Sequence, residues 1–190
     1  MLRLLVAYTT YDGHTAKVAE RIAAALKSAD CAVEVCDLAR MRPDRPLREY
    51  DGVVAGAPLH SGKHPRTLAA FVTKNCTTLN TKPSAFFSVS LSAAGNDQQR
   101  DDATRCLEEF LKETGWKPSK STIVAGALLY RKYGFFKRWL MKRIVSGGGG
   151  DTDTSRNHVY TEWEALDKFA HQLIRDWTAR KSVPREKTLA

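Results

Sequence analysis

One short stretch constrains the fold of this chain more than any other: an apolar run that leads through a tight loop into a helical pattern. Residues 4–8 have the composition of a buried strand, and residues 9–15 contain three threonines and one glycine. Apolar residues then recur at helical spacing, at Val18, Ala19, Ile22 and Leu26. The first N–H groups of a helix lack internal partners and the helix dipole favours negative charge there, so this arrangement predicts an anion-binding site.

The composition of the loop narrows the kind of anion. Gly13 allows a positive φ and the close approach of a ligand, while Thr9, Thr10 and Thr15 add hydroxyl groups. The loop has no lysine, so it is not the G-x-x-x-x-G-K-[ST] loop of nucleoside triphosphatases, and it lacks the G-x-G-x-x-G of dinucleotide-binding folds. A terminal phosphate held by neutral donors fits these residues. A capped helix start without any ligand stays open as the alternative.

Four further apolar runs, separated by helical patterns, predict an α/β fold with a doubly wound sheet. Strands are predicted at residues 32–38, 52–57, 84–91 and 121–128, and the small apolar residues of 52–57 are typical of a central parallel strand. Helices are predicted to begin at Pro65, at Gln98 and at Thr161, where Thr-Glu-Trp-Glu has the form of a capping box. We therefore expect a five-stranded parallel sheet of order 2-1-3-4-5, with an extra segment after the last strand.

Length and composition predict one domain. We expect it to span residues 1–180, with an insert at 129–157 and a polar tail at 181–190. The sequence has no apolar run long enough to span a membrane and opens without a signal-peptide pattern. Its cysteines show no metal-ligand spacing, so we expect no metal, and their apolar neighbours favour buried thiols: Cys31, Cys36, Cys76 and Cys106.

The ligand site is expected where the strand order reverses. Ligands of doubly wound sheets bind outside the carboxyl ends of the strands at that point, and three loops should meet there: residues 9–15, 58–64 and 90–96. The second and third loops are placed to flank a flat ring system. A phosphoacceptor receiver domain shares this fold but needs an acidic pair after its first strand and an aspartate at the end of its third. Thr9-Thr10 and Ala57-Pro58 stand at these places, which excludes that class.

The net charge of +9 is unevenly placed. Residues 131–145 contain six cations and no acid, and they predict a short amphipathic helix over 133–145 that carries aromatic residues. A helix of this kind suits the plane of an anionic membrane, where each cation contributes about 1 kcal/mol. A surface helix that packs its aromatic side chains on the domain stays open. Nucleic acid is the least favoured partner, because no nucleic-acid-binding module accompanies the charge.

The five histidines have different expected roles. His14 lies in the predicted phosphate loop and either contacts the phosphate or faces solvent. His60 and His64 lie near the expected ring and are the weak candidates for proton exchange, so no catalytic residue is assigned firmly. His158 and His171 are expected to be structural.

Residues 10–15, Thr-Tyr-Asp-Gly-His-Thr, match the T-x-T-G-x-T phosphate loop of the flavodoxin-like family with Asp12 in place of a threonine. With residues 57–64, 82–89, 125–130, 148–149, 151–154 and 159–161, the chain resembles the bacterial quinone-dependent protoporphyrinogen oxidases of that family over residues 1–178. The stretch from Pro58 to Ser61 departs from the more polar and aromatic loop of that family.

The resemblance implies an FMN enzyme of haem biosynthesis. It would remove six electrons from protoporphyrinogen IX and pass them to a membrane quinone, either menaquinone or ubiquinone. It would work as a peripheral protein on the cytoplasmic side of the inner membrane, with homo-oligomerisation left open. An NAD(P)H:quinone reductase and a flavodoxin-type electron carrier remain as alternatives, although carriers of this family are typically acidic whereas this chain is basic.

These expectations assign residues to three groups. FMN is expected to contact three loops and the segment after the insert, at Thr10, Tyr11, Asp12, Gly13, His14, Thr15, Pro58, Leu59, His60, Ser61, Gly62, Ser88, Val89, Ser90, Leu91, Ser92, Asp151 and Thr152. Arg131 and Lys132 are the candidates for the substrate propionates. Contacts with lipid or with the macrocycle are expected from Phe135, Phe136, Arg138 and Trp139.

Overall fold

The computed structural model describes residues 1–129 and 157–182. The helix predicted over 133–145 lies outside the described residues, as do residues 183–190 of the predicted tail, while residues 181 and 182 end the last helix.

Five parallel strands form the central sheet in the order β2-β1-β3-β4-β5, which confirms the predicted order. The strands are β1 Leu2–Tyr8, β2 Cys31–Asp37, β3 Gly52–Pro58, β4 Ser84–Ser90 and β5 Lys120–Ala125. The described helices are α1 His14–Ser28, α2 Arg66–Thr81, α3 Asp97–Thr114 and α4 Trp163–Ser182. Two short 3₁₀ helices span Leu47–Glu49 and Ser92–Ala94.

The sheet is buried on both faces, and each face has its own core. Every residue of β3 and β4 is buried, as expected of central parallel strands. One core contains Ile22 and Leu26 of α1 with Leu173 of α4. The other contains Leu68 of α2 and Phe110 of α3. Helices therefore leave the sheet on opposite sides, and this opens the crevice at the carboxyl ends of β1 and β3.

The predicted last strand is interrupted at Gly126. The chain turns away from β5 there, and β6 (Ala127–Leu128) pairs antiparallel with β7 (His158–Val159). The Gly126 N–H donates to the Ser90 carbonyl at 2.9 Å, and a Cβ at this position would lie 3.2 Å from that same carbonyl group. A side chain at this position would require the Ser90 backbone to shift by a few tenths of an ångström. Because β5 ends at Ala125, the single strand predicted over 121–128 is wrong beyond that residue.

Helix starts differ slightly from the prediction. Pro65 precedes α2 rather than opening it, and Asn96 caps α3 in a capping box with Gln99. The helix α4 begins at Trp163, so the capping box predicted at Thr161 is wrong. The Thr161 hydroxyl donates instead to the Ala125 carbonyl at 2.6 Å.

Among residues 1–129 and 157–182, no helix is long and apolar enough to cross a membrane.

Candidate functional site

A cavity of about 440 Å³ lies at the carboxyl ends of the central strands, where the three predicted loops meet. This volume falls within the range of small-molecule sites. Most of the cofactor-contact residues predicted from the sequence line it: Thr10, Tyr11, Asp12, His14, Thr15, Pro58, Leu59, His60, Ser61, Gly62, Val89, Ser90, Leu91 and Ser92. Two further predicted residues, Gly13 and Ser88, are not part of the lining. The tertiary structure thus brings the three loops together around one space.

The loop before α1 leaves the start of that helix open to a ligand. Gly13 adopts a left-handed conformation with φ of 84°, and its N–H donates to the Thr10 hydroxyl oxygen at 2.9 Å. No side chain caps the helix, and its first turn contains no acid. The N–H groups of the first turn have no partners within the helix, so they are available to an anion beside Thr15.

The loop between β3 and α2, residues 59–65, contains a tight two-residue turn. His60 and Lys63 exchange two backbone hydrogen bonds of 3.0 Å, while Ser61 and Gly62 between them have φ values of 49° and 74°. Two successive positive φ values are typical of a type I′ turn. A further bond, from the Leu59 N–H to the Val89 carbonyl at 2.8 Å, fixes the start of this loop against β4.

The loop after β4 is fixed through Ser90. Its hydroxyl accepts from the Ala93 N–H at 3.1 Å, and its carbonyl accepts from Gly126. Ser88, two residues earlier, is buried within β4 and bonds to a histidine instead. The wall that this loop presents to the cavity therefore consists of Val89 to Ser92.

His14 is buried rather than solvent-facing, with 7% of its surface exposed. Its Nε2 atom lies 2.7 Å from the Thr161 hydroxyl oxygen, and its ring packs edge-on near Trp163. Because the single hydroxyl proton of Thr161 goes to Ala125, the histidine Nε2 must be the donor of this bond. Burial lowers the pKa of His14, and the nearby Lys17 lowers it further. Of the two positions left open from the sequence, the solvent-facing one is therefore wrong for His14.

His60 and His64 have different surroundings. His60 is exposed, lines the cavity, and meets the Tyr11 ring edge-to-face at 5.1 Å. His64 does not line this cavity. Its Nε2 lies 2.9 Å from the Ser88 hydroxyl and its ring packs on Phe86 and Phe110. Burial lowers the pKa of His64 to about 4, so this side chain is neutral at pH 7.

Sequence reasoning missed five lining residues: Asp102, Ala103, Cys106, Gly126 and Ala127. Asp102, Ala103 and Cys106 belong to α3, and no signal in the sequence of this helix predicts that it reaches the cavity. Because α3 starts at the carboxyl edge of the sheet, its first turns reach the cavity as well. Cys106 is half-buried there and Cys76 is half-buried elsewhere, whereas Cys31 and Cys36 are buried as predicted.

The remaining predicted site residues, Asp151, Thr152, Arg131, Lys132, Phe135, Phe136, Arg138 and Trp139, lie outside the described residues. Within the described ranges, no group of three or more His, Cys, Asp or Glu side chains is arranged to hold a metal ion.

Comparison with known proteins gives relatives over most of the chain. A family model of the Flavodoxin domain matches residues 5–155. The protoporphyrinogen IX dehydrogenase [quinone] of Escherichia coli (strain K12) is 33% identical over 172 residues, which are 90% of this chain and 94% of that protein. The protein of the same name from Leishmania major is 34% identical over 170 residues, which are 88% of this chain and 73% of that protein.

Solved structures support the fold. A flavodoxin from the domain Archaea superposes with a TM-score of 0.56 at 15% identity, covering 93% of this chain and 99% of that one. A short-chain flavodoxin associated with a bacterial microcompartment gives a TM-score of 0.57 at 18% identity, with the same coverage. Because the family model matches most of the chain and both curated relatives exceed 30% identity, the chain belongs to the flavodoxin domain family, in the branch that contains the quinone-dependent protoporphyrinogen IX dehydrogenases.

Proposed function

We propose that this chain oxidises protoporphyrinogen IX with a quinone as the electron acceptor, a step of haem biosynthesis. The observation that carries this assignment is the 33% identity to the Escherichia coli protoporphyrinogen IX dehydrogenase over 90% of the chain. The match extends well beyond the phosphate loop, which many electron carriers of this fold share. In the reaction the porphyrinogen loses six electrons and six protons, so three quinone molecules become quinols.

The cofactor that we propose is FMN, with its phosphate at the start of α1. The observations in favour are the uncapped helix start, the left-handed Gly13, and the hydroxyls of Thr10 and Thr15 beside them. These groups supply hydrogen bonds without a lysine, as a terminal phosphate held by neutral donors requires. The loops at 58–62 and 89–92 form the other walls of the cavity and would hold the ring. When bound, the flavin would supply the two-electron chemistry.

The protein's own part in this proposal is to position the reactants and exclude water. The positive φ of Gly62 and the close approach of Gly126 to the Ser90 backbone help to position the loops that form the cavity walls. His60 is the one predicted histidine candidate that both lines the cavity and is exposed, so it is the group we assign to proton exchange with solvent. His64 is neutral and bonded to Ser88, and we assign it no role in proton transfer.

The basic segment at 131–145 is proposed to hold the protein at an anionic membrane surface, where the quinone resides. Support comes from the pairing of β6 with β7, because this ladder joins the described chain on either side of residues 130–156. Ala127 of β6 lines the cavity and pairs with Val159 of β7, so this ladder lies near the cavity rim. Under this proposal Arg131 and Lys132 contact substrate propionates, and Phe135, Phe136 and Trp139 contact lipid or macrocycle.

The activity is tested by anaerobic mixing with protoporphyrinogen IX and a quinone, followed through the fluorescence of protoporphyrin. A parallel mixture contains NAD(P)H in place of the porphyrinogen. We expect porphyrin fluorescence that requires both protein and quinone. Rapid NAD(P)H oxidation without porphyrin formation would instead identify an NAD(P)H:quinone reductase, and inactivity in both mixtures would leave an electron carrier.

Flavin binding is tested separately by titrating the flavin-free protein with FMN. Thr15→Val removes one hydroxyl at the helix start and is expected to weaken binding, whereas Thr15→Ser keeps the hydroxyl and serves as the matched control. A folded wild-type protein that stays colourless with excess FMN would contradict the proposed cofactor.

The role of the basic segment is tested by deleting residues 131–146 and bridging the gap with a short Gly/Ser linker. We expect the flavin content to be retained, and porphyrin formation and sedimentation with anionic liposomes to be lost. Parental activity together with parental liposome binding would show that the segment has neither role.

A further inference from the structure

A second cavity of about 480 Å³ adjoins the first one. Thr10, Tyr11 and His60 line both cavities, and the Tyr11–His60 ring pair belongs to both walls. The second cavity extends from the end of β1 to the start of α2, on the side of the sheet that faces away from α1. A substrate that lies against a flavin held in the first cavity could therefore extend a side chain into the second.

The lining of the second cavity is cationic. Lys63 and Arg66 contribute two exposed positive charges, and none of its lining residues is an aspartate or a glutamate. The helix α2 begins at Arg66 with no side-chain cap and no acid in its first turn. Its first N–H groups lack helical partners and lie beside the two cations, so the cavity favours an anionic group.

A buried hydroxyl with no partner provides an independent indication of a ligand. Thr9 lines the second cavity, is 3% exposed, and its Oγ1 has no hydrogen-bond partner among the described residues. Among the described residues, no other buried side-chain oxygen or nitrogen lacks a hydrogen-bond partner. Leaving a buried hydroxyl unpaired destabilises a fold, so such a group in a cavity wall points to an acceptor that enters from the cavity. Thr67 adds a second hydroxyl to the same lining.

We propose that this second cavity binds a propionate carboxylate of the porphyrinogen substrate. The inference rests on the proposed function, because it takes the macrocycle to lie against the first cavity. Arg66 can bind a carboxylate through two parallel N–H groups, Lys63 adds a point charge, and the hydroxyls of Thr9 and Thr67 can donate to the same oxygens. The substrate carries two propionates, which leaves the other for Arg131 and Lys132. The cavity would then select the free acid over esters of the same macrocycle.

The test compares protoporphyrinogen IX with its dimethyl ester, which keeps the macrocycle but has no carboxylate. The variant is Lys63→Gln/Arg66→Gln. Its matched control is Lys74→Gln/Lys112→Gln, which removes the same charge from exposed positions that line neither cavity. We expect the variant to raise KM for the acid about tenfold or more and to leave KM for the ester and the FMN affinity unchanged. The control should match the wild type with both substrates.

A binding measurement keeps the inference testable whatever the activity. Protoporphyrin IX and its dimethyl ester are titrated against each protein by fluorescence quenching. The wild type should prefer the acid, and the variant should lose that preference. If the wild type oxidises neither porphyrinogen yet binds the acid in preference through Lys63 and Arg66, the proposed reaction fails while the carboxylate site stands. Equal effects on acid and ester, or no effect on either, would overturn the site.

The variant Thr9→Val tests whether the Thr9 hydroxyl binds the ligand or serves only the structure of the protein. The substitution keeps the shape and removes the unpaired oxygen, so the ligand-free protein should melt at a higher temperature while binding of the acid weakens severalfold. Unchanged binding of the acid would show that the hydroxyl does not contact the ligand.

A lipid headgroup phosphate is the other anionic group that the cavity could bind, and phosphatidylglycerol vesicles test this possibility. If the Lys63→Gln/Arg66→Gln variant loses vesicle binding but keeps its preference for the acid, the cavity takes a lipid phosphate and the proposal is overturned.

Discussion

The Nε2 atom of His14 lies 2.7 Å from the hydroxyl oxygen of Thr161, although the two residues are 147 positions apart in the chain. Thr161 in turn donates to the carbonyl of Ala125 at the end of β5. The first residue of α1 is thereby connected both to the last strand of the sheet and to the segment that leads into α4. The connection lies beside the Gly13 turn, because this turn immediately precedes His14.

Replacing Thr161 with valine should destabilise the fold. The valine leaves the His14 N–H and the Ala125 carbonyl without a partner in a buried site, which costs about 1–3 kcal/mol for each group left unsatisfied. Urea unfolding measures the change, and Thr161→Ser, which keeps the hydroxyl, should stay near the wild type. A loss of stability in Thr161→Ser with none in Thr161→Val would mean that methyl packing rather than hydrogen bonding holds this residue.

His64 should make stability depend on pH. Its folded-state pKa of about 4 lies below its ordinary value of 6.5, so the unfolded chain binds the proton more tightly. The stabilisation is therefore present in full above pH 6.5 and is lost as the pH falls towards 4, by about 2 kcal/mol between pH 7 and pH 5. Urea unfolding at these two pH values measures the loss.

The control for this prediction is His64→Gln, which keeps a polar group near Ser88 but does not titrate. Burial lowers the pKa of His14 as well, so both proteins retain some pH dependence from that residue. The contribution of His64 is the difference between the two proteins. Identical pH dependence in both would contradict the assignment.

Gly56 should not tolerate a side chain. It pairs with Phe87 in register, and a Cβ at Gly56 would lie 2.0 Å from the buried Phe87 ring. We expect Gly56→Ala to destabilise the protein by about 1–3 kcal/mol through overpacking. Phe87→Leu shortens the ring side chain, so the double variant should be more stable than the sum of the single effects predicts. Strict additivity in urea unfolding would show that the two positions do not compete for space.

Gly62 should matter for its backbone conformation alone. A Cβ there would have the Cys106 Sγ as its nearest neighbour, at 3.9 Å, so Gly62→Ala causes no clash. The left-handed φ of 74° costs an alanine about 1–2 kcal/mol. If the free variant relaxes the turn and flavin binding has to restore it, this cost corresponds to roughly tenfold weaker FMN binding. Ser61→Gly relieves rather than adds strain and should bind FMN at least as tightly as the wild type. Weakened folding with unchanged FMN affinity would place this turn away from the flavin.

The sequence alone determined the features that depend on neighbouring residues. The continuous small-apolar run that became β3 predicted a strand buried on both faces, and the run, loop and helical pattern at residues 4–26 predicted the Gly13 turn. Alternation of strands and helices then led to the sheet order that the structure confirms. Such signals are local, since burial on one or both faces imposes a periodicity that a window of about ten residues already contains.

Only the tertiary structure decided which distant groups meet. Nothing near His14 in the chain indicates that Thr161 binds it, and nothing near Gly126 indicates that Ser90 approaches its backbone within 3 Å. The contribution of α3 to the first cavity and the unpaired hydroxyl of Thr9 in the second depend likewise on how separate elements pack. Hydrogen bonds and cavities of this kind form between side chains that only the packing of the whole sheet and its helices brings together, so no local pattern contains them.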